Sequence, residues 1–199
     1  MAWGLAETIR ELPDSDRKLI ALAGPPASGK STIAQALVTH LGQSAALVPM
    51  DGFHFSNEIL DARDMRARKG APETFDLTGF NTLMWRLRTE GEVAVPTFDR
   101  TLDASIGSSV LVEPHHTLII VEGNYLLLDE PGWSDLKQHW TLSVALDVPE
   151  DVLEKRLIQR WLKHGLSTQA ARNRALSNDI PNARRVLHNR LPSDLTIEG

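Results

Sequence analysis

The chain has 199 residues, of which 42% are hydrophobic and 24% are charged, an ordinary composition for a water-soluble globular protein. Its net charge of −5 at pH 7 does not indicate a nucleic-acid partner, and the absence of cysteine excludes disulfides, thiol catalysis and cysteine zinc sites. The N-terminus lacks the features of a signal peptide, and the most apolar run, residues 118–128, is too short to span a bilayer. We therefore expect a cytoplasmic protein without a membrane span, folded as one domain over residues 1–199.

Strand-like and helix-like segments alternate along the chain, which predicts an α/β fold with a parallel sheet of about five strands and helices on both faces. The predicted strands lie at residues 18–23, 45–50, 117–122, 141–147 and 194–197. The predicted helices lie at residues 3–11, 30–41, 56–67, 79–90, 149–164 and 168–177. Residues 93–112 have the pattern of a hairpin-like insertion between these elements.

The segment between the first predicted strand and the helix that follows it contains a phosphate-binding pattern. Residues 24–31 read Gly-Pro-Pro-Ala-Ser-Gly-Lys-Ser, which matches G-x-x-x-x-G-K-[ST]. Backbone N–H groups in such a loop surround an anion, and the dipole of the new helix favours negative charge there. Lys30 would reach the β- and γ-phosphates, and the Ser31 hydroxyl would ligate Mg²⁺. We expect a three-layer P-loop NTPase fold that binds ATP through Gly24, Ala27, Ser28, Gly29, Lys30, Ser31 and Thr32.

Asp51 follows the second predicted strand. Ligands of open α/β sheets bind at the carboxyl ends of the strands, so this carboxylate should emerge beside the phosphate-binding loop. It could accept the proton of an attacking hydroxyl or hold a metal through water. The alternative is a turn residue or helix cap, because Asp-Gly is common in turns. His54, three residues further on, either contacts substrate or packs and caps locally.

Glu122 ends the apolar third strand, in the pattern of a Walker B acid that organises Mg²⁺. An unpaired charge at a buried strand end is costly, which favours a functional role over a partly exposed glutamate.

Two groups of basic residues could stabilise phosphoryl transfer. Arg156 and Arg160 are four residues apart on the predicted helix 149–164 and therefore share one face. They could stabilise negative charge on a transferred phosphoryl group or simply form a solvated basic face. Arg68 and Lys69 lie in a polar stretch whose loop could bind a substrate or phosphate.

Taken together, these segments resemble the superfamily of P-loop kinases that contains uridine kinase, phosphoribulokinase and pantothenate kinase. Residues 50–54, Met-Asp-Gly-Phe-His, are similar to the family's motif after the second strand. Residues 68–76, Arg-Lys-Gly-Ala-Pro-Glu-Thr-Phe-Asp, are similar to a stretch of bacterial pantothenate kinases. Residues 121–123, 156–160 and 178–183 are similar to the Walker B segment, the lid helix and a late asparagine-rich segment of the same family.

The residues after Glu122, Gly-Asn-Tyr-Leu-Leu, are similar to a subgroup of short kinases often labelled fructose transport system kinase-like. The chain differs from pantothenate kinases in lacking their long extensions at both ends. It differs from uridine kinases in having Gly70-Ala71-Pro72 where those enzymes have Asp-His-Pro. These differences leave the acceptor open.

The resemblance implies an ATP- and Mg²⁺-dependent kinase that phosphorylates a hydroxyl of a sugar-like, pantothenate-like or nucleoside acceptor. The implied catalytic residues are Asp51, Lys30, Arg156 and Arg160, the two arginines belonging to a lid region at about residues 149–177. The implied metal-organising residues are Ser31, Glu122 and Asp51. The implied acceptor residues, in an insertion at about residues 52–112, are Phe53, His54, Arg68, Lys69 and Asp76, and Asn182 is expected to contact the nucleotide base.

Three alternatives remain open at this point. One is a nucleotide-hydrolysing switch associated with a transport system, which would leave Asp51 and the stretch 68–76 unexplained. Another is a nucleotide-binding remnant without catalysis, which the intact Lys30, Ser31 and Glu122 argue against. The third is a nucleoside monophosphate kinase, which would transfer to a phosphate instead of a hydroxyl. A homodimer is compatible with the sequence.

Overall fold

A computed structural model describes residues 2–13 and 17–199. The strands are β1 (Lys18–Ala23), β2 (Ala45–Pro49), β3 (Val93–Asp99), β4 (Ala104–Val112), β5 (Leu118–Gly123), β6 (Leu142–Asp147) and β7 (Leu195–Glu198). The α-helices are α1 (Ala2–Arg10), α2 (Lys30–Leu41), α3 (Asn57–Ala62), α4 (Leu77–Thr89), α5 (Glu150–Lys163), α6 (Thr168–Arg174) and α7 (Ile180–His188). Short 3₁₀ turns follow β2, at Met50–Phe53, and α3, at Arg66–Arg68, and a π-helical segment, Ala175–Asp179, joins α6 to α7.

Five strands form one parallel sheet in the order β2-β5-β1-β6-β7. In its register, Glu122 of β5 lies opposite Leu22 of β1 on one side and opposite Pro49 of β2 on the other. The carboxyl ends of these three strands are therefore level. The phosphate-binding loop, the turn with Asp51 and the strand end with Glu122 all emerge at this edge.

The central strands are covered on both faces. Every residue of β1 and of β5 is buried, as expected for parallel strands between two layers of helices. Odd-numbered residues of β1 pack with α4 and the segment around Tyr125, whereas Ile20 and Leu22 pack with α1 and α2. A third apolar cluster joins α5, α7 and the π-helical segment beside the sheet. The architecture is thus a three-layer α/β fold, which confirms the predicted fold class.

At the edge of the sheet, β7 is anchored to β6 by a polar contact. The Asp194 carboxylate accepts hydrogen bonds from the backbone N–H and the hydroxyl of Ser143, at 2.7 and 2.6 Å. The Ser143 hydroxyl accepts one in return from the Asp194 backbone N–H at 3.0 Å. These bonds lower the pKa of Asp194.

Strands β3 and β4 form a separate antiparallel hairpin, with an irregular register between Val95 and Thr97. The hairpin packs against the turn Met50–Phe53 at a very close approach. A Cβ atom added to Gly52 would lie only 2.7 Å from the carbonyl carbon of Pro96. The turn that presents Asp51 is therefore held against the hairpin because residue 52 has no side chain.

The five predicted sheet strands and the hairpin are confirmed to within one residue at each end. The predicted helix 56–67 is too long: α3 ends at Ala62, and the chain then turns through Asp64, which has a φ of 52°. The patterns above also do not predict α7, which has Pro181 in its first turn, where the missing N–H needs no helical partner.

Among the described residues, no helix combines the length and apolar character needed to cross a membrane.

We predict that Gly52→Ala destabilises the protein by about 1–3 kcal/mol, the usual cost of overpacking a close contact. Gly107→Ala is the matched control, because a Cβ at Gly107 meets no atom within 4 Å. Urea denaturation of both variants measures the difference. Equal stability of the two variants would contradict the close packing of turn and hairpin.

Candidate active site

A cavity of about 700 Å³ opens at the carboxyl edge of the sheet. Among the described residues, its basic lining side chains are Lys30, Arg66, Lys69, Arg100, Arg160 and Arg174, and its acidic ones are Asp51, Asp103 and Asp179. A cavity in which cations outnumber acids, in a chain with a net charge of −5, favours negatively charged ligands.

The loop between β1 and α2 is shaped to present backbone N–H groups. Ala27 and Gly29 have φ angles of 65° and 93°, and Gly29 caps α2 without a side-chain hydrogen bond. The first N–H groups of α2 are therefore not satisfied by a capping side chain, which is the arrangement that binds anions. The Ser28 hydroxyl is buried and has no hydrogen-bond partner among the described residues. Both features fit a bound polyphosphate.

Ser31 and Glu122 form the polar centre beneath this loop. The Ser31 hydroxyl donates to Glu122 Oε2 at 3.2 Å. Burial raises the pKa of Glu122, with the nearby Asp51 charge acting in the same direction and the Lys30 charge opposing it. A hydroxyl and a carboxylate are oxygen ligands of the kind that Mg²⁺ takes, so this donor set fits that ion.

The Asp51 carboxylate faces the cavity and is engaged by a basic residue of the hairpin. Arg100, in the turn between β3 and β4, donates from Nη2 to Asp51 Oδ2 at 2.9 Å. Only 22% of the Asp51 side chain is exposed, against 54% for Arg100. The second carboxylate oxygen, Oδ1, makes no hydrogen bond with the described residues.

His54 forms part of the cavity wall below Asp51. Its ring lies 4.0 Å from the ring of Phe75 and 4.7 Å from that of Phe98, and burial lowers its pKa. Nδ1 lies 2.8 Å from the Asp51 carbonyl oxygen. Because a carbonyl oxygen only accepts, Nδ1 carries the proton, and Nε2 of the neutral ring is left as an acceptor.

Lys69 lines the cavity, but its ammonium group is fully occupied. Nζ donates to Asn57 Oδ1 and to the Asp103 carbonyl, both at 2.7 Å, and contacts Asp103 Oδ1 at 2.9 Å. An ammonium group has three N–H donors, so these contacts use all of them. Lys69 therefore ties α3 to the tip of the hairpin.

The helices beyond β6 close the other side of the cavity. Arg160 and Trp161 of α5 line it, and the Trp161 indole donates to Asp179. Burial lowers the pKa of Arg160 and raises that of Asp179. Arg156 points to the phosphate-binding loop, with Nη1 3.5 Å from the Ala27 carbonyl oxygen.

Residues 66–70, which we call the acceptor loop, are attached to these helices through backbone carbonyls. Arg174 donates to the carbonyl of Ala67 at 2.9 Å, and the Asn178 amide donates to the carbonyl of Lys69 at 3.0 Å. The Asn182 amide lies 3.4 Å from Asn178 Oδ1. Asn182 is thus located next to the acceptor loop.

The structure brings ten residues of the predicted site into the cavity wall, namely Ala27, Gly29, Lys30, Ser31, Thr32, Asp51, His54, Lys69, Arg160 and Asn182. Three further residues of the predicted site lie beneath the wall: Gly24 and Ser28 of the phosphate-binding loop and Glu122 at the end of β5. An added Cβ at Gly24 would lie 2.8 Å from Ser28 Oγ, which explains the glycine there.

Four residues of the predicted site are not part of the cavity wall. Phe53 packs edge-on against Phe80, with ring centres 5.2 Å apart. Arg68 is exposed and pairs with Glu73. Asp76 caps α4 by accepting a hydrogen bond from the N–H of Gly79 at 2.9 Å. Arg156 lies beside the phosphate-binding loop, outside the cavity wall.

Sequence patterns missed Arg100, Trp161, Arg174 and Asp179. Arg100 belongs to no recognised motif and reaches Asp51 only because the hairpin folds over the end of β2. The π-helical segment that ends at Asp179 gives no sequence signal, although such segments are frequent at functional sites.

Known proteins resemble the chain over nearly its whole length. A solved protein from Silicibacter sp. TM1040, provisionally named a fructose transport system kinase, has a TM-score of 0.95 and is 46% identical, covering 99% of this chain and 98% of that one. YggC of Escherichia coli (strain K12), whose name assigns no function, is 36% identical over 92% of this chain and 78% of that protein. A protein of Schizosaccharomyces pombe provisionally named uridine kinase C227.14 is 36% identical over 94% of this chain and 85% of that protein.

Residues 19–176 match the family described as phosphoribulokinase / uridine kinase. The match contains the phosphate-binding loop, Asp51, Glu122 and both arginines of α5, and it confirms the resemblance seen in the sequence. The chain therefore belongs to the phosphoribulokinase / uridine kinase family, which makes it a P-loop kinase that uses an alcohol group as acceptor.

Proposed function

We propose that this chain transfers the γ-phosphoryl group of ATP to a hydroxyl of a sugar-like, pantothenate-like or nucleoside acceptor, with the help of Mg²⁺. Membership of the family implies ATP binding. The observation that supports the transfer step is the convergence of the phosphate-binding loop, the Ser31–Glu122 pair and Asp51 on one cavity.

ATP is held from the side of the cavity formed by the phosphate-binding loop. The N–H groups of the loop and of the first turn of α2 donate to its phosphates, and Lys30 adds a positive charge at the β- and γ-positions. Because these donors are fixed by the backbone of residues 24–31, they need little reorganisation when the phosphates bind.

Ser31 and Glu122 would hold Mg²⁺, with Asp51 acting through water. An ion held there would supply positive charge that neutralises the charge developing on the phosphates during transfer. The hydroxyl and carboxylate of the two residues already lie within 3.2 Å of each other, so one ion can contact both.

Asp51 acts as the catalytic base. Its Oδ1 atom is free to accept the proton of an acceptor hydroxyl, while Arg100 fixes the orientation of the carboxylate through Oδ2. Arg160 approaches from the helical side, where its guanidinium group can stabilise the transferred phosphoryl group. With Arg156 it would also help to exclude water that would otherwise hydrolyse ATP.

The acceptor lies between the hairpin and the acceptor loop. His54 and Phe98 supply an aromatic wall there, with their rings tilted by 45° to each other, and neutral His54 offers Nε2 as a hydrogen-bond acceptor for a further hydroxyl. The sequence-predicted residues Phe53, Arg68 and Asp76 would act on this region indirectly, through the packing of the turn and of α4.

The experiment that tests the proposal is ADP release from MgATP across a panel of sugars, pantothenate and nucleosides. We expect acceptor-dependent release that falls about 10²–10⁴-fold in Asp51→Asn, the usual contribution of a general base, with nucleotide binding nearly unchanged. Asp135→Asn, at an exposed residue outside the cavity wall, is the matched control. Release that ignores every acceptor and persists in Asp51→Asn would favour a nucleotide-hydrolysing switch.

Lys30→Ala is expected to weaken ATP binding and to reduce turnover, because it removes a charge that contacts the phosphates in both the ground state and the transition state. Titration calorimetry with MgATP and steady-state kinetics measure the two effects. Lys155→Ala, which removes an exposed lysine of α5, should change neither. Unaltered affinity and rate in Lys30→Ala would argue against the phosphate-binding assignment.

Glu122→Gln is expected to stabilise the nucleotide-free protein at pH 7 while abolishing its additional stabilisation by MgATP. The pKa of Glu122 is higher in the folded protein than in the unfolded chain, so the folded protein binds more protons. The free energy of unfolding therefore falls as the pH rises from the ordinary pKa of glutamate through the raised one. The difference in stability between Glu122→Gln and the unsubstituted protein should therefore shrink as the pH is lowered below the ordinary pKa of glutamate. Thermal unfolding checks both effects, in EDTA for the nucleotide-free protein and in excess MgATP for the liganded protein, with the exposed Glu92→Gln as control. A less stable Glu122→Gln protein at pH 7 would contradict the burial argument.

A further inference from the structure

We propose that Arg100 binds a negatively charged group of the acceptor, so that the acceptor is an anionic hydroxy compound bearing a carboxylate or a phosphate ester. This inference rests on the proposed function, because it takes the hydroxyl at Asp51 as the reacting group. Beyond the proposed function, it specifies that the molecule carrying this hydroxyl is negatively charged.

Arg100 has unused hydrogen-bonding capacity directed at the site. A guanidinium group has five N–H donors in a fixed fork. Among the described residues, Arg100 makes a single side-chain hydrogen bond, to Asp51 Oδ2, and more than half of its side chain is exposed in the cavity wall. Four donors are therefore available within a few ångströms of the proposed base.

The other cations on this side of the cavity have different partners. All three donors of Lys69 are used by Asn57 and Asp103. Arg66 and Arg174 also line the cavity, but Arg66 pairs with Asp61, which lies outside the wall, and Arg174 donates to the carbonyl of Ala67. Arg100 differs from these cations because its own hydrogen bond goes to Asp51, so its remaining donors lie beside the proposed base.

The position of Arg100 is fixed on both sides of the hairpin turn. The Asp99 carboxylate accepts from the backbone N–H groups of Thr101 and Leu102, at 2.8 and 2.9 Å. Asp103, at the other end of the turn, is held by Lys69. A preorganised guanidinium group loses little conformational entropy when it binds a ligand, which favours a recognition role.

Charge balance points in the same direction. The positive charge of Arg100 contributes to the lowered pKa of Arg160, so the two guanidinium groups lie near enough to repel each other. Arg160 comes from the helical side of the cavity, whereas Arg100 comes from the hairpin. An anionic acceptor would be repelled by Asp51 and by the ATP phosphates, and Arg100 offsets that repulsion. A neutral acceptor would need no such cation.

The test uses acceptor pairs that share hydroxyl groups and differ in charge. Suitable pairs are gluconate and glucose, glycerate and glycerol, pantothenate and pantothenol, fructose 6-phosphate and fructose, and ribose 5-phosphate and ribose. The first three pairs test a carboxylate and the last two test a phosphate ester. For each compound, kcat and KM are measured with the complete chain and saturating MgATP.

We expect the anionic member of at least one pair to be strongly preferred. Arg100→Gln should lower kcat/KM for that anion by about 10–100-fold, mainly through KM, as expected for the loss of charge-assisted hydrogen bonds. Arg100→Lys should restore part of the loss. Arg63→Gln, which removes an exposed guanidinium group that stacks over Phe55 outside the cavity, should leave the values unchanged.

Three outcomes would overturn the inference. A neutral acceptor used as well as its anionic partner would show that acceptor charge is not recognised. If Arg100→Gln lowered kcat equally for the anionic and the neutral acceptor of a pair, Arg100 would act on the transferred phosphoryl group and not on the charge of the acceptor. In both cases acceptor-dependent ADP release would leave the proposed function intact. Acceptor-independent release that survives Asp51→Asn would overturn the proposed function, and this inference with it.

Discussion

The parallel pairing of β5 between β2 and β1 is the constraint on which the site depends. It places Glu122 level with Leu22 and Pro49 at the carboxyl ends of both neighbours, so that three loops from distant parts of the chain leave the sheet at the same height. Hydrogen bonds of the sheet backbone set this level, not the polar residues themselves. Both faces of β1 and β5 are packed, so a one-residue shift of register is unfavourable because it would move each side chain from one helix layer into the other.

The same arrangement keeps polar groups in an unfavourable environment. Glu122 is buried as an acid with a raised pKa, the Ser28 hydroxyl lacks a partner among the described residues, and Ala27 adopts a positive φ. Each of these reduces the stability of the ligand-free protein. All three lie at the loop and strand end where phosphates and metal are expected, so the free energy of ligand binding can offset their cost. Unfavourable local features are thus concentrated where a ligand compensates for them.

Sequence patterns predicted the sheet, the hairpin and part of the cavity wall, because these depend on local signals. The strands are apolar runs, and residues 24–31 form a motif with its own geometry. What could not be predicted depends on contacts between distant segments. Lys69 is identified by a motif, but only the fold shows that Asp103 and Asn57 use all its donors. Asp76 is also part of a motif, yet its carboxylate caps α4, and Arg100 belongs to no motif although it contacts Asp51.

The attachment of the acceptor loop to the helices beyond β6 is made through main-chain oxygens, those of Ala67 and Lys69. A carbonyl oxygen is present whichever side chain a residue carries. Substitutions at Ala67 and at neighbouring positions that keep the backbone path would therefore preserve the connection to Arg174 and Asn178. Evolution, or a protein engineer, can in this way vary the surface offered to the acceptor while the loop stays attached to the helices. Such a scaffold is suited to acquiring new substrates by a few local changes.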